Sequence, residues 1–377
     1  MRFIATADWQ LGMTAHYLDD EARPRFQRAR FDAVKRIGKL AQECGAQFVV
    51  VGGDVFESNQ LDRSVAARMF DALRSCPVPV VLLPGNHDPL DASSIYDSPA
   101  FTAGCPEQVV VIRDQAPITV APGVEVVGAP WRSKRPGRDL MAEALEQLTP
   151  APEGTIRIGL GHGAVSTLDP NRESSATIEV DSLAAAIAEK KVHVVILGDR
   201  HGTYEVAPRV WYPGTPEVTH RREIDPGNVL VVDIDVETGE VAVEKHPVGT
   251  WWFLTVEYQL DSTDDVAALR QRLLDLPDKD TTALWLALQG TLSITEHAGL
   301  QDALDEAAQL FARIDHWERH TDLVVIPDDH DFADLQLSGF AQDAKAELIQ
   351  KVESDGEESG VAQDALELLY RLARGAS

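Results

Sequence analysis

Side chains that can bind metal ions follow five apolar runs in the first two hundred residues. Each run closes at or beside a small residue, and the polar residues found there are Asp8 and Gln10, Asp54, Asn86 with His87 and Asp88, His162, and Asp199 with His201. Carboxylate, amide and imidazole groups are common protein ligands of metal cations. A single acid beside a glycine is commonly a turn residue, so the prediction of a metal centre depends on recurrence at five run ends.

The five apolar runs are predicted to be strands, and helical spacing fills the segments between several of them. The runs are 2–8, 47–54, 77–85, 156–163 and 192–198, and the predicted helices are 22–44, 61–75, 139–148 and 181–190. Val/Ile/Leu-rich strands that alternate with helices predict an α/β fold whose sheet is covered on both faces. Because open α/β sheets place ligands outside the carboxyl ends of their strands, the polar side chains are expected to converge.

The pattern changes after residue 250. The sequence there predicts a β-α-β-α-β unit with helices near 263–275 and 299–318, then a polar, Asp-rich linker, and finally two amphipathic helices within 338–375. Two isolated helices cannot bury their own apolar stripes. They are therefore expected to dock on the body of the protein, on a partner or on a second copy of the chain.

The motif order DxQ, GD, GNHD, GH and GDxH resembles that of the calcineurin-like metallophosphoesterases. The segments DWQLG, GGDVFE, LLPGNHD and WYPGTPE resemble those of the SbcD branch, which comprises DNA repair exonuclease subunits. The resemblance implies a four-layer α/β/β/α sandwich over residues 1–250 and a small α+β capping domain over 251–328. It also implies that 329–377 is a linker with a C-terminal helical pair that binds a partner.

The resemblance also assigns roles to the polar residues at the run ends. It implies one metal ion bound by Asp8, Gln10, Asp54 and His201, and a second bound by Asp54, Asn86, His162 and Asp199. His87 would be the general acid. Asp88 would either orient His87 or only stabilise the turn that carries it.

Gln10 and Asp199 stand where the family normally has histidine. Amide and carboxylate oxygens are harder ligands than imidazole, so this exchange favours manganese or magnesium over zinc or iron. The expected cofactor is a pair of divalent ions, with manganese as the leading candidate and magnesium or iron as alternatives. The competing interpretation is that the Gln10 site is poorly occupied, which would leave a slow or inactive enzyme.

Charge is distributed unevenly along the chain. The formal net charge is −27, and residues 251–377 hold 26 of the 61 acidic residues but only 9 of the 34 basic ones. This acidic third should repel phosphate backbones and is better suited to binding protein. The segment WRSKRPGR is the candidate DNA contact, through Arg132, Lys134 and Arg135, with Trp131 as a candidate for base stacking.

The function predicted from these features is a metal-dependent DNA exonuclease subunit that uses two-metal hydrolysis. The resemblance implies an SbcC-like coiled-coil ATPase as partner, bound through the C-terminal helices, and a homodimer. The alternatives are a phosphodiesterase for small phosphoesters and a catalytically weak scaffold for such an ATPase. Three scattered cysteines, the absence of a membrane-length apolar run and the absence of a leader pattern predict a cytoplasmic protein.

Overall fold

The computed structural model describes residues 1–168, 176–325, 339–354 and several positions between 361 and 372. It contains two compact units, Met1–Trp251 and Trp252–Ser377. The predicted Asp-rich linker and much of the last predicted helix lie outside the described residues. Within those residues, the helices are too short or too polar to span a bilayer.

The first unit contains the predicted alternation of strands and helices. Its strands are β1 (Arg2–Thr6), β2 (Val49–Val51), β3 (Val80–Leu82), β4 (Val109–Val111), β5 (Ile118–Ala121), β6 (Val124–Gly128), β7 (Ile156–His162), β8 (Val194–Gly198), β9 (Tyr204–Ala207), β10 (Val210–Tyr212), β11 (Asn228–Ile234) and β12 (Val241–Pro247). Its α-helices are α1 (Ala22–Cys44), α2 (Arg63–Leu73), α3 (Pro99–Gly104), α4 (Leu140–Glu146) and α5 (Val180–Ala188).

These strands form two six-stranded sheets. The first has the order β12-β11-β1-β2-β3-β4, with β1 to β4 parallel and β11 antiparallel to β1. The second has the order β5-β6-β7-β8-β10-β9, with parallel strands at its centre and antiparallel strands at its edges. Parallel neighbours end at the same edge, so each sheet presents several carboxyl ends together.

Strand alternation divides the apolar side chains among three cores. Ile4 packs with the helices on the outer face of the first sheet, whereas Phe3 packs between the two sheets. Val195 of the second sheet faces the third core, which contains residues of α4 and α5. Each large apolar side chain buried in this way contributes about 1.5–3 kcal/mol. The result is the predicted four-layer α/β/β/α sandwich, and the fold-class prediction is confirmed.

Helix α1 illustrates how local sequence sets these layers. Phe26, Val34 and Ile37 recur at helical spacing and are buried. The helix ends at Gly45, whose φ of 69° is left-handed and whose N–H bonds back to the last turn. Glycine has no Cβ and adopts this conformation readily, so it is a common helix terminator.

The second unit is built on a four-stranded sheet with helices between its strands. Its elements are β13 (Trp252–Leu260), α6 (Thr263–Asp275), β14 (Thr282–Leu292), α7 (Ile294–Ala308), β15 (Arg313–His316), β16 (Asp322–Val325) and α8 (Phe340–Glu353). Strand β14 pairs in parallel with β13 along one edge, and with β15 and then β16 along the other.

The predicted helix near 299–318 is wrong at both ends. A capping box between Ser293 and Glu296 starts α7 earlier, at Ile294. The helix ends at Ala308, and β15 follows because Arg313–His316 pairs with the buried strand β14. Arg, Asp and His in a four-residue segment are not typical of a strand, so local sequence did not reveal it.

Part of the C-terminal apolar stripe packs within the second unit. Leu366 is fully buried in a cluster with Ile294 and Val325, and Leu348 packs against the same cluster. Other positions remain outside this cluster, and Phe340 is 87% exposed. The C-terminal helical segments therefore dock partly on their own unit.

Candidate metal centre

The predicted ligands lie beyond the carboxyl ends of strands from both sheets. Asp8, Asp54 and His162 are all buried, and each offers a ligand atom within 4.8 Å of the others. Asp199 comes directly after β8, and its backbone N–H donates to Asp8 Oδ1 at 3.1 Å. The two-sheet arrangement thus brings together side chains from distant parts of the chain.

His162 occupies one half of this cluster. Its Nε2 lies 2.6 Å from Asn86 Oδ1, 3.4 Å from Asp54 Oδ1 and 4.0 Å from Asp199 Oδ1. Its Nδ1 lies 2.9 Å from the carbonyl oxygen of Gly52. Because a carbonyl only accepts hydrogen bonds, Nδ1 carries a proton and Nε2 faces the oxygen-rich side. A metal-binding histidine is usually oriented in this way by a bond to its other nitrogen.

Gln10 and His201 meet in the other half. The amide Nε2 of Gln10 lies 3.2 Å from His201 Nε2. The backbone N–H of Gln10 donates to the carbonyl oxygen of Asp54 at 2.9 Å, and that of Asp8 donates to Gly53 at 3.0 Å. These bonds join the loop after β1 to the loop after β2. Hydrogen bonds of the backbone and side chains therefore link the loops that carry the seven predicted ligands, and Asp8, Asp54 and His162 have ligand atoms within reach of one another.

Negative charge dominates the centre and acts on its histidine. Burial raises the pKa of Asp8 to about 7. Burial would lower the pKa of His162, but the charge and hydrogen bond of Asp54, followed by the charge of Asp8, raise it well above its ordinary value. The carboxylates thus favour the protonated form of the buried His162 imidazole. A divalent cation would supply positive charge at the same place, so this donor set fits a metal ion.

Four predicted ligands have left-handed backbone conformations. The φ angles are 52° at Asp8, 43° at Gln10, 49° at Asp54 and 95° at Asp199. Non-glycine residues rarely adopt positive φ, and such strain concentrates at functional sites because the surrounding structure must hold it in place. Four of the nine described non-glycine residues with positive φ are predicted ligands, so the loops after these strands hold an unusual backbone at those positions.

Two glycines allow the strand ends to approach closely. A Cβ on Gly198 would lie 1.9 Å from the carbonyl oxygen of Gly52, and one on Gly53 would lie 2.2 Å from His162 Nδ1. Any larger residue at these positions would push the two sheet edges apart. The glycines of GGD and GDRH are thus required by the packing around the site.

His87 lies beside the cluster and is more exposed than the buried ligands. Its Nε2 is 4.0 Å from Asp54 Oδ2, and its side chain is 38% exposed. Its Nδ1 lies 3.0 Å from the carbonyl oxygen of Glu57, and its backbone N–H donates to Asp54 Oδ1 at 2.9 Å. Nδ1 therefore donates a hydrogen bond to the Glu57 carbonyl oxygen, and Nε2 is the nitrogen that faces the cluster.

Asp88 does not contact the His87 ring through any described hydrogen bond. Its fully buried carboxylate accepts from the N–H of Gly85 at 2.7 Å, the N–H of Phe56 at 3.0 Å and the Tyr96 hydroxyl at 2.6 Å. The possible catalytic role of Asp88 as an orienting residue is therefore corrected. Its contacts are those of the turn-stabilising alternative, and the Glu57 carbonyl orients His87 instead.

Trp131 is not available for base stacking. It is only 7% exposed, and its indole N–H donates to the carbonyl oxygen of His162 at 2.7 Å. An aromatic residue with a polar handle suits either a surface or a buried site, and the sequence could not distinguish them. By contrast, Arg132, Lys134 and Arg135 are exposed, as expected for a contact with phosphate groups.

Two buried charged residues that support the centre were missed by sequence analysis. Glu223 bonds to His201 Nδ1 at 2.6 Å. The Arg30 guanidinium, on α1, donates to the carbonyl oxygens of Trp9 at 3.2 Å and Val218 at 3.1 Å. Both residues stand inside basic or acidic clusters that resemble solvated surface, so their type and spacing gave no signal.

Replacing Arg30 with methionine should destabilise the protein. The substitution leaves buried carbonyl oxygens without donors, at a cost of about 1–3 kcal/mol for each, and it frees the Trp9 peptide between Asp8 and Gln10. We expect the free energy of unfolding, measured in urea, to fall by about 3 kcal/mol. Arg28→Met is the matched control on the same helix, since the Arg28 side chain is 82% exposed. Equal losses in the two variants would contradict the role assigned to Arg30.

The chain belongs to the calcineurin-like phosphoesterase family. The model of that family matches residues 1–203, which are more than half of the chain. The family prediction is confirmed at this level, and the chain is a phosphoesterase of the metallophosphoesterase type.

Relatives and solved structures resemble the chain at low sequence identity. An uncharacterized metallophosphoesterase, YhaO of Bacillus subtilis (strain 168), is 22% identical over 313 residues, which cover 77% of this chain and 72% of the relative. The structure of TT1561 of Thermus thermophilus is 14% identical, with a TM-score of 0.41, and the match covers 66% of this chain and 98% of that one. A dimetal phosphatase from Danio rerio is 14% identical, with a TM-score of 0.41 and coverages of 66% and 96%.

Proposed function

We propose that the protein is a manganese-dependent DNA phosphodiesterase, the exonuclease subunit of an SbcCD-like complex that acts in the cytoplasm as a homodimer. The observation that carries the proposal is the connected cluster of carboxylate, amide and imidazole groups with His87 beside it. Magnesium or iron could replace manganese in the same donor set.

The roles proposed for the site residues are those that the motif order implies. Asp8, Gln10, Asp54 and His201 would hold one ion, and Asp54, Asn86, His162 and Asp199 the other. When bound, two divalent ions acidify water and neutralise phosphate oxygens. In its doubly protonated, imidazolium form, His87 would donate the Nε2 proton to the departing sugar oxygen and keep the Nδ1 proton on the Glu57 carbonyl.

The preference for DNA is supported by a basic loop tied to the ligand loops. Trp131 precedes this loop, and its N–H donates to the carbonyl oxygen of Pro84 while its indole donates to His162. Arg132, Lys134 and Arg135 follow at once and are exposed. Three exposed cations that follow a residue anchored to the ligand loops suit a polymeric phosphodiester better than a single small ester.

The second unit is proposed to contact protein. Its 26 acidic and 9 basic residues oppose a phosphate backbone. Phe340 and Val361 are 87% and 71% exposed, which leaves apolar side chains for a helical partner. The proposed partner is an SbcC-like coiled-coil ATPase.

The test compares substrates and metal content in one preparation. The purified chain is dialysed against manganese, assayed for bound metal, and given linear DNA, a cyclic nucleotide or a nitrophenyl phosphate. We expect about two ions per chain and faster turnover of DNA than of either small ester. Hydrolysis of the small esters without hydrolysis of DNA would indicate that the enzyme acts on small phosphoesters. Less than one bound ion, with no hydrolysis, would favour the scaffold function.

A triple variant tests the basic loop. Changing Arg132, Lys134 and Arg135 to alanine should weaken DNA binding and flatten its salt dependence, by about 0.9 in the log–log slope for each lost phosphate contact. Hydrolysis of a nitrophenyl ester should not change. An unaltered slope would exclude this loop from the DNA contact.

A further inference from the structure

His201 is held on one side by two oxygen atoms. Its Nδ1 lies 2.6 Å from Glu223 Oε1 and 2.7 Å from the Thr219 hydroxyl oxygen. The Thr219 hydroxyl also hydrogen-bonds to Glu223 Oε1, and the Thr219 backbone N–H donates to Glu223 Oε2 at 2.9 Å. The Glu223 side chain is only 8% exposed, so these bonds are shielded from water.

The other ring nitrogen faces the metal centre. His201 Nε2 lies 3.2 Å from the amide nitrogen of Gln10. A carboxylate can only accept, so the bond to Glu223 places a proton on Nδ1. In the neutral ring Nε2 then carries a lone pair, to which the Gln10 amide can donate. That nitrogen is the one that can bind a cation.

The loop that carries Glu223 is itself anchored. The Tyr17 hydroxyl donates to the carbonyl oxygen of Thr219 at 3.2 Å, and Arg30 donates to that of Val218 at 3.1 Å. The Glu223 backbone N–H donates to the carbonyl oxygen of His220 at 3.1 Å. The carboxylate therefore approaches His201 from a fixed backbone.

We propose that Glu223 is a positioning residue for His201, which fixes the ring in the tautomer and orientation that turn Nε2 toward Gln10 in the proposed metal centre. The inference deepens the proposed function, because it assigns to His201 the metal-binding role given there. Carboxylate partners of metal-binding histidines typically change metal affinity by about 10–100-fold. The effect should be confined to the ion that His201 helps to bind.

Two substitutions of Glu223 distinguish the loss of the hydrogen-bond acceptor for His201 from the loss of side-chain volume. Glu223→Ala removes the acceptor, whereas Glu223→Gln keeps a carbonyl oxygen that can accept from Nδ1. Asp225→Asn is the matched control, since it removes a carboxylate two residues away that pairs with Lys245. The φ angle of Asp225 is 57°, a value that asparagine also tolerates, so the control substitution should not strain the backbone.

The first measurement is manganese titration by calorimetry with the full chain. We expect Glu223→Ala to weaken one of two binding events by about 10–100-fold, Glu223→Gln to weaken it by less, and Asp225→Asn to change neither. Circular dichroism establishes that the variants are folded. Equal manganese binding in the wild type and folded Glu223→Ala would overturn the proposal.

The second measurement needs neither metal nor substrate. Nitrogen NMR of the metal-free protein at alkaline pH reports which ring nitrogen is protonated, and His201→Asn identifies the signal. We expect the Nδ1–H form in the wild type and in Glu223→Gln, and a shift toward the Nε2–H form in Glu223→Ala. An unchanged tautomer would overturn the proposal. If the wild type shows the expected tautomer and metal binding but does not cleave DNA, the proposed function fails while the role of Glu223 stands.

Discussion

Replacing His87 with alanine should lower the turnover number for phosphodiester hydrolysis by about 10²–10⁴-fold, the usual contribution of a general acid. Metal content should stay the same, because the His87 ring lies beside the cluster and is not among the proposed metal ligands. The measurement is turnover of a generic diester at saturating manganese, with bound metal assayed in the same sample. The effect should appear mainly in kcat, since the proton is needed only as the leaving oxygen departs.

His246→Ala is the matched control for His87→Ala. His246 lies on β12, where its ring pairs with Glu244 at 3.4 Å, away from the ligand loops. Its removal should leave turnover unchanged. Retained cleavage in His87→Ala would exclude His87 as the acid, and lost metal in that variant would instead make His87 a ligand.

Replacing Asp54 with asparagine should remove most metal binding and reduce hydrolysis to background. Asp54 contacts both halves of the site, through His162 Nε2 at 3.4 Å and through the loop bond to Gln10. Loss of an outer partner of a ligand already costs about 10–100-fold in affinity, so loss of a shared carboxylate should cost more than about 100-fold. Equilibrium dialysis against manganese measures the effect.

The asparagine variant should fold normally. Asparagine tolerates the φ of 49° at this position and can still accept from the His87 N–H. It also removes one of several neighbouring negative charges. Asp62→Asn, at the exposed start of α2, is the control because asparagine caps helices equally well. Two ions per chain in Asp54→Asn would refute the idea that Asp54 is shared by two metal sites.

The position of the centre could be predicted because it follows from strand order. Val/Ile/Leu runs define parallel strands, parallel strands end together, and polar residues such as Asp8 and Asp199 follow those ends. Local patterns and this property of sheets place the predicted ligands of each sheet at one edge. The meeting of Asp8 with Asp199 depends in addition on how the two sheets pack, which was expected from the family resemblance and not from strand order.

The supporting residues could not be predicted, because their roles depend on contacts between distant segments. Arg30 lies 188 positions from Val218, whose carbonyl oxygen it binds. Glu223 lies 22 positions from His201 and stands in an Arg-rich segment that resembles solvated surface. The same limit explains the corrected role of Trp131, since burial of an amphipathic ring depends on what packs over it.

The left-handed backbone at the ligand positions bears on how the chemistry of this centre can be altered. Asparagine, aspartate and histidine tolerate such φ values better than most side chains, whereas branched residues do not. Replacing Gln10 or Asp199 with histidine should therefore exchange an oxygen ligand of the proposed site for imidazole on an unchanged main chain. If so, the preference for a metal can be altered at two side chains while the sandwich stays intact.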